Sequence, residues 1–209
     1  EKGGGPMFDM GPYYLTALLN LLGPVQRISG MTGIQIPERT ITSEPKKGKK
    51  IAVETPDHVT GLIEFDNGEK GGVIGTIIQS FSMRFAEQVG SKQPITIYGT
   101  DGTLRVPDPN QFDGPVHVRL ADDPDWREIP HAFVAGYGRS VGLADMAYAI
   151  RSGQGGRKHR CSAEQAFAVL DLMAGFQDSS DTGKQITPCT KYEKPAAMPG
   201  HLPFGTLDD

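Results

Sequence analysis

Residues 1–25 read EKGGGPMFDMGPYYLTALLNLLGPV, in which a run of three glycines leads into an amphipathic segment. Four leucines recur at the i, i+3, i+4, i+7 spacing of one buried helical stripe: Leu15, Leu18, Leu19 and Leu22. Pro12 suits a first helical turn, where its missing N–H leaves no hydrogen bond unmade, and Gly23-Pro24 ends the helix. The pattern therefore predicts a helix from about Pro12 to Leu22.

The middle of the chain predicts β-strands joined by tight turns. Asn67-Gly68 separates two apolar runs and is the strongest short hairpin signal, because both residues tolerate positive φ. A second tight turn is predicted at residues 99–102. The predicted strands cover residues 25–32, 58–65, 70–78, 95–98, 103–106, 116–120 and 126–129. Such hairpins build a mostly antiparallel sheet.

The second half of the chain predicts two more helices and an extended tail. One helix covers residues 140–150, and the other begins at Ser162 and ends near Gly183. A helix, several strands and two helices in that order predict an α+β fold, with one large antiparallel sheet, helices packed on one face and the other face open. We expect residues 1–209 to form a single domain, with residues 187–209 as an extended C-terminal arm.

Composition excludes several classes of function. The chain has 209 residues and a net charge of −4, which does not suggest a nucleic-acid or anionic-membrane partner. The basic run KKGKK, at residues 46–50, sits in a polar stretch and is predicted to be a solvated loop. No apolar run approaches the ~20 residues of a membrane span, and we expect no signal peptide in this stretch.

The cysteines and histidines indicate neither a disulfide framework nor a metal site. Cys161 and Cys189 are the only cysteines and fit a reducing compartment, so we expect a cytoplasmic protein. The five histidines are scattered, without the spacing of zinc ligands. Because the chain begins at Glu1 rather than at a methionine, we expect a fragment or a processed product of a longer protein.

No glycine-rich segment has the context of a dinucleotide site, which needs glycines between a strand and a helix N-terminus. GQGGRK, at residues 153–158, follows a predicted helix and lacks the last glycine of the fingerprint. GKQ, at residues 183–185, lacks the hydroxyl residue of a P-loop, and EKGGVIG, at residues 69–75, lies inside a hairpin. We therefore expect this chain to bind no cofactor of its own.

Asp9 and Tyr13 are the candidate catalytic pair. They are four residues apart, so both side chains share one helical face if the helix reaches back that far. A carboxylate near a helix N-terminus is favoured by the helix dipole, and a phenol one turn on can handle a proton or orient a hydroxyl. The alternative is that Asp9 caps the helix and Tyr13 packs at the edge of the domain.

Several segments in the same order resemble the C-terminal domain of the Gfo/Idh/MocA family of NAD(P)-dependent oxidoreductases. The opening segment, residues 3–25, resembles the family pattern G-G-G-x-x-x-D-x-G-x-H. The Asn-Gly hairpin, the turn YGTDGTL at residues 98–104, and the closing helices with SSDTGK at residues 179–184 also match. The resemblance spans nearly the whole chain.

The resemblance implies a part that this chain lacks. Family members carry an N-terminal Rossmann domain that binds NAD or NADP, followed by an E-K-P motif with a catalytic lysine. The chain would then be the substrate-binding and oligomerisation half of an oxidoreductase acting on a sugar-like or cyclitol-like substrate, inactive by itself. An E-K-P string at residues 193–195 lies in the C-terminal tail, and we interpret it as a chance match without a catalytic role.

Carried over residue by residue, the resemblance assigns four site residues. Asp9 matches the motif aspartate, whereas Tyr13 stands at the histidine position, as in members similar to glucose–fructose oxidoreductase. Histidine titrates near neutral pH, but a phenol needs a neighbouring cation to release its proton there. Thr16 stands where many members have a second aspartate, and we expect it to contact substrate. Arg139, at a helix start, is a second predicted substrate contact; a structural role is its alternative.

A different class of function remains open: a non-catalytic ligand-binding or dimerisation module. The family commonly uses the open face of its sheet for dimer contacts. Alternation in HVTGLIEF and GGVIGTIIQ, at residues 58–65 and 71–79, would leave side chains such as Val59, Ile74 or Ile77 on that face. Exposed apolar patches of this kind usually mark interfaces, so we expect a homodimer.

Overall fold

The computed structural model describes residues 2–66, 68, 72–83, 93–133, 136–153 and 156–208. Its helices are α1 (Pro6–Leu22), α2 (Val141–Arg151) and α3 (Ala163–Thr182). Its strands are β1 (Val25–Gly33), β2 (Glu38–Thr40), β3 (Lys50–Ala52), β4 (His58–Phe65), β5 (Val73–Ser80), β6 (Ile95–Tyr98), β7 (Gly102–Val106), β8 (Val116–Leu120) and β9 (Arg127–Ile129).

The α+β class predicted from the sequence is confirmed, and all the paired strands are antiparallel. Within the described ranges the strands form three sheets, in the orders β1-β4-β5, β2-β3 and β6-β7-β8-β9, where the sequence predicts one large sheet. The chain divides into two compact units. The first unit comprises residues 1–84 and 163–194, and the second comprises residues 85–162 and 195–209. The single-domain assignment stays a prediction.

In the first unit, α1 and α3 pack on one face of the β1-β4-β5 sheet and enclose its core. The largest fully buried side chains there include Leu15 and Leu19 of α1, Ile63 and Phe65 of β4, and Phe176 of α3. The leucine stripe predicted for α1 is confirmed, since Leu18 and Leu22 pack against this core as well. Burying such a stripe supplies most of the stability of a helix this short.

The helix α1 begins six residues before its predicted start. Pro6 takes the first helical position, where a proline needs no N–H partner, and Gly5 is the N-cap. Pro12 therefore lies inside the helix rather than in its first turn, and the prediction of a start at Pro12 was wrong. The extension is stabilised because it buries Met7 and Gly11 on the same side as Leu15.

The tightest packing in the first unit joins Phe176 to a pair of glycines. Gly30 of β1 and Gly61 of β4 are cross-strand partners. A Cβ on Gly61 would overlap the Phe176 ring, and a Cβ on Gly30 would lie 2.7 Å from the Phe176 carbonyl oxygen. The two missing side chains thus form the slot in which Phe176 is completely buried, and this slot sets the distance of α3 from the sheet.

We expect Gly61→Ala to lower the free energy of unfolding by about 1–3 kcal/mol, the usual effect of overpacking a core. Gly138→Ala is the matched control, because no described atom beyond its chain neighbours lies within 4 Å of the Cβ it would add. Urea unfolding followed by far-UV circular dichroism measures both variants. Equal midpoints for Gly61→Ala and the unchanged protein would contradict the packing described for Phe176.

Most strands lie where the sequence predicts them, and two were missed. The predicted ranges 58–65, 95–98 and 116–120 coincide with β4, β6 and β8. The prediction for residues 70–78 is observed as β5 from Val73, and residues 70 and 71 lie outside the described residues. The strands β2 and β3 were missed because each has three residues and no alternation of apolar side chains.

The open face of the β1-β4-β5 sheet differs in part from the prediction. Ile74 lies there, 73% exposed, as expected. Val59 and Ile77 do not; both are buried, because they share a parity with Gly61 and Ile63, whose side of the sheet faces the helices. The exposed apolar residues of the open face are Met31, Leu62, Ile74 and Ile78.

The segment after α3 is held to the first unit by polar side chains. Gln165 donates Nε2 to the Tyr192 hydroxyl at 2.9 Å, and this hydroxyl donates to Asn20 Oδ1 at 3.2 Å. Asp171 accepts the N–H of Thr190 at 2.9 Å. Tyr192, which precedes the E-K-P string, is thus a buried anchor, and residues 187–208 contain no helix or strand.

In the second unit, a network of two carboxylates and two guanidinium groups fixes the C-terminal end. Asp145 of α2 is buried and accepts hydrogen bonds from Arg157 and from the N–H and side chain of Arg160. Asp208 binds the same two arginines, next to the fully buried Leu207. Burial alone would raise the pKa of Asp145, but the Arg160 N–H and both guanidinium groups outweigh it and lower that pKa.

Asp145→Asn is expected to destabilise the second unit by about 3 kcal/mol, near the lower bound for breaking a buried ion pair, because both arginines are partly exposed. The pKa of Asp145 is lower in the folded chain than in the unfolded chain, where it is about 3.9. The stabilisation by this carboxylate is therefore complete above the unfolded pKa and is lost as the pH falls through the folded pKa. The variant should therefore lose stability less steeply on acidification.

Unfolding followed by the fluorescence of Trp126, the one tryptophan of the chain, reports on the second unit. Glu38→Gln is the control, because its ion pair with Lys50 is exposed. An identical pH profile for the unchanged protein and Asp145→Asn would exclude the role given to this carboxylate.

Candidate functional site

The outer face of α1 carries Asp9 and Tyr13. The helix starts at Pro6, so it does reach back far enough for these two residues, four apart, to lie on one face. Asp9 is exposed in the first turn, and Tyr13 is half-buried. Both lie away from the buried stripe that runs through Gly11 and Leu15. The first unit thus presents a carboxylate and a phenol outward, one helical turn apart.

The capping alternative for Asp9 does not hold. Gly5 is the N-cap, with φ of 93°, and no side chain caps the helix. Asp9 is the fourth helical residue, and its own N–H already donates to the Gly5 carbonyl oxygen at 3.1 Å. Its carboxylate therefore lies near the positive end of the helix dipole without serving as the cap.

The two predicted substrate contacts lie in different units. Thr16 of α1 is half-buried, and its carbonyl oxygen accepts a hydrogen bond from Asn20 Nδ2 at 2.9 Å. Arg139 is exposed just before α2, in the second unit, with its guanidinium 5.7 Å from the centroid of the Phe112 ring. The structure places Asp9, Tyr13 and Thr16 on one helix of the first unit, whereas Arg139 belongs to the second unit.

A cavity beside the first turn of α1 was missed by the sequence analysis. Its volume is about 560 Å³, within the range of small-molecule sites. Residues from separate segments line it, among them Lys2, Phe8, Thr32, Thr55, Phe176 and Asp181. Neither Asp9 nor Tyr13 lines it. No sequence pattern indicates such a cavity, because its walls come from the glycine run, β1, the β3–β4 loop and α3.

The β3–β4 loop that forms one wall of the cavity is held by Asp57. This buried carboxylate accepts the N–H groups of Gln35 and Ile36 at 2.7 and 3.1 Å, and Arg39 binds it at 3.0 Å. Burial acts to raise the pKa of Asp57, but these three donors outweigh it and lower the pKa. The loop in turn contacts the glycine run, since Thr55 Oγ1 donates to the Gly4 carbonyl oxygen at 3.2 Å.

Two described glycine positions lack the arrangement that would hold the pyrophosphate of a dinucleotide. The glycine run before α1 precedes a helix N-terminus, but the space beside Gly5 is filled, since a Cβ there would lie 2.7 Å from the Pro56 carbonyl oxygen. Gly183 follows the end of α3, not the start of a helix. Residues 154 and 155 of the GQGGRK segment lie outside the described residues.

Two further findings concern other kinds of site. In the described part of the chain, no group of three or more histidine, cysteine, aspartate or glutamate side chains is placed to hold a metal ion. No helix among the described residues is long and apolar enough to cross a membrane.

Fold and site together define an α+β domain in which a helix-covered antiparallel sheet carries a carboxylate and a phenol on its first helix. The sequence model of the GFO/IDH/MocA C-terminal domain matches residues 1–105 of the chain. The chain belongs to this family, as its sequence motifs predict.

Solved structures share the fold. One is the apo form of levoglucosan dehydrogenase, with a TM-score of 0.68 and 19% identity over 91% of this chain and 52% of that chain. Another is an NAD binding oxidoreductase from Klebsiella pneumoniae, with a TM-score of 0.65 and 17% identity over 90% of this chain and 52% of that one. At such identities the likeness shows the fold alone.

A third similar structure is the aldose-aldose oxidoreductase from Caulobacter crescentus complexed with glycerol, with a TM-score of 0.61 and 16% identity over 88% of this chain and 48% of that one. The chain thus spans about half the length of the structures it resembles. Comparison with curated proteins gives no significant match.

Proposed function

We propose that this chain is the substrate-binding half of an NAD(P)-dependent oxidoreductase that acts on a sugar-like or cyclitol-like hydroxyl group. The observation that carries the proposal is the outward pair of Asp9 and Tyr13 on α1. Membership of the GFO/IDH/MocA C-terminal domain family supports it. So do the names of similar structures, which include levoglucosan dehydrogenase in complex with NADH and levoglucosan.

In this proposal the residues of the chain bind and orient the substrate. The Asp9 carboxylate accepts a hydrogen bond from a substrate hydroxyl, and Thr16 contacts a further hydroxyl group. The substrate contact expected of Arg139, in the second unit, stays a prediction. Tyr13 Oη, one turn from Asp9, exchanges the proton of the reacting hydroxyl, as a general acid–base group must within hydrogen-bond reach. The nicotinamide supplies the hydride chemistry from a preceding nucleotide-binding domain, so the chain by itself is inactive. The whole enzyme is cytoplasmic in this proposal.

Tyr13→Phe is expected to lower kcat by about 10²–10⁴-fold in the enzyme that joins this chain to its nucleotide-binding domain, because the variant removes a general acid–base group. Tyr14→Phe is the matched control, since Tyr14 packs against the core and should leave kcat within a few-fold. Steady-state kinetics of NAD(P)-linked oxidation, screened over sugars and polyols, measure both. Unchanged turnover of Tyr13→Phe with the best substrate would remove its role in proton handling.

A second candidate function, that of an assembly module, is favoured by the open face of the sheet. Met31 is 75% exposed and Leu62 is 54% exposed, and they lie beside Ile74 and Ile78 on the same face. A group of exposed apolar side chains on one face usually marks an interface. The face-to-face packing of two such sheets would form the homodimer expected from the sequence.

Replacing Met31 and Leu62 together with lysine is expected to shift such a dimer to monomer, because it would place four buried ammonium groups in the interface of each dimer. Sedimentation velocity across a range of protein concentrations measures the shift. Phe167→Lys is the control, since Phe167 is 57% exposed on α3, away from this face. A wild-type chain that stays monomeric at high concentration would contradict the assembly candidate.

A further inference from the structure

Asp57, which directly precedes β4, is fixed through both its main chain and its side chain. Its N–H donates to the carbonyl oxygen of Gly33, the last residue of β1, at 3.1 Å, and its carbonyl oxygen accepts the Phe81 N–H at 2.8 Å. Arg39 Nη2 of β2 donates to the Asp57 carboxylate and also to the Phe81 carbonyl oxygen, at 2.9 Å. The ends of β1, β2 and β5 therefore hold Asp57 in one place.

The two residues before Asp57 connect this fixed point to the glycine run that precedes α1. Thr55 Oγ1 donates to the Gly4 carbonyl oxygen at 3.2 Å. The Pro56 carbonyl oxygen lies so close to Gly5 that a Cβ there would be only 2.7 Å away. The proline ring fixes φ at position 56 and restricts the conformation of the residue before it, so the connection is stiff.

The glycine run gives the start of α1 little rigidity of its own, because glycines have no side chain to pack and a wide choice of backbone angles. Gly5 is the N-cap, and none of the described side chains caps the helix. The Gly5 carbonyl oxygen accepts the Asp9 N–H at 3.1 Å. A continuous series of contacts therefore runs from Asp57, through residues 55 and 56 and Gly5, to the main chain of Asp9.

We propose that Asp57 is a positioning residue for Asp9: it fixes the first turn of α1 and thereby places the carboxylate that accepts the substrate hydroxyl. This role rests on the function proposed above, in which Asp9 binds that hydroxyl. Asp57 itself is buried and makes no contact with substrate, so it acts only through the loop and the helix start.

The next turn of α1 has a different support. Gly11 is buried, and a Cβ there would lie 3.4 Å from Met173 Sδ, so this part of the helix packs closely against α3. Tyr13 belongs to this part, whereas Asp9 belongs to the turn that the loop holds. Loss of the Asp57 carboxylate therefore moves Asp9 relative to Tyr13, and a misplacement of about 1 Å can lower the rate about 10²-fold.

A double-mutant cycle separates this role from a general loss of stability. In the enzyme that joins this chain to its nucleotide-binding domain, Asp57→Asn is expected to lower kcat/KM by about 10–100-fold, because the amide offers one acceptor oxygen to three donors and the first turn shifts. In an Asp9→Ala background the same change should lower kcat/KM by less than about 3-fold, since its effect passes through Asp9.

Asp171→Asn is the matched control for the cycle. Asp171 lies in the same unit and also accepts a backbone N–H, that of Thr190, but it binds the segment after α3 rather than the start of α1. We expect Asp171→Asn to leave kcat/KM unchanged. An equal loss in Asp57→Asn with and without Asp9, or a similar loss in Asp171→Asn, would overturn the positioning role.

A milder variant covers the case in which Asp57→Asn folds poorly. Thr55→Val removes the hydrogen bond to the Gly4 carbonyl oxygen and keeps the Asp57 carboxylate. It should lower kcat/KM by about 2–10-fold, the usual contribution of one hydrogen bond, and only when Asp9 is present. Thr55→Ser, which keeps the hydroxyl group, should match the wild type; a loss in Thr55→Ser equal to that in Thr55→Val would contradict the role of this hydrogen bond.

Hydrogen exchange of the same enzyme tests the positioning without reference to activity. The Asp9 amide should be protected in the wild type and lose that protection in Asp57→Asn and Thr55→Val, while the Leu19 amide stays protected in all three. Unchanged protection of Asp9 in both variants would overturn the positioning role. A wild-type enzyme that oxidises none of the sugars and polyols would instead overturn the proposed function, on which the role depends, whatever the exchange shows.

Discussion

The seating of Phe176 between Gly30 and Gly61 is the contact on which the first unit depends. A side chain on either glycine would meet the aromatic ring or its backbone, so α3 lies closer to the sheet than ordinary residues allow. This closeness brings the hydroxyl groups of Ser179 and Ser180 to the edge of β1. One packing contact thus sets both the thickness of the core and the closure of a sheet edge.

The same packing lets α1 cover the core with one side and carry the proposed reacting groups on the other. Met7, Gly11, Leu15 and Leu19 fix the inner side of this helix against α3 and the sheet. Once that side is buried, the helical repeat determines which residues face away from the core, and Asp9 and Tyr13 are among them. The glycine run and the loop held by Asp57 determine where the first turn starts. The position of the proposed reacting groups therefore follows from the apolar packing of the helix that carries them.

Periodicity predicted the elements whose stability depends on one apolar face. The leucines of α1 and the alternation in β4 indicated both elements, because burial of such a face is what stabilises them. Periodicity could not predict features that are determined by tertiary neighbours. Val59 and Ile77 were placed on the wrong face, since alternation gives the parity of a strand but not which side the helices cover. The β2–β3 hairpin was missed because its stability does not come from an apolar pattern.

The functional features likewise divide into those that the sequence could predict and those that it could not. The pair on α1 was predictable because helical spacing alone places both side chains on one face. The cavity beside it and the Asp145 network were not, because residues far apart in sequence build them.

The polypeptide passes between the two compact units three times, after residues 84, 162 and 194. Neither unit is therefore a contiguous gene segment. Truncation at any one of these points would leave one of the two units incomplete. Deleting residues 85–162 would require a new linker that joins residue 84 to α3. In evolutionary terms, such interleaved connectivity ties the two units together, since recombination with a single breakpoint cannot exchange one for a homologous module.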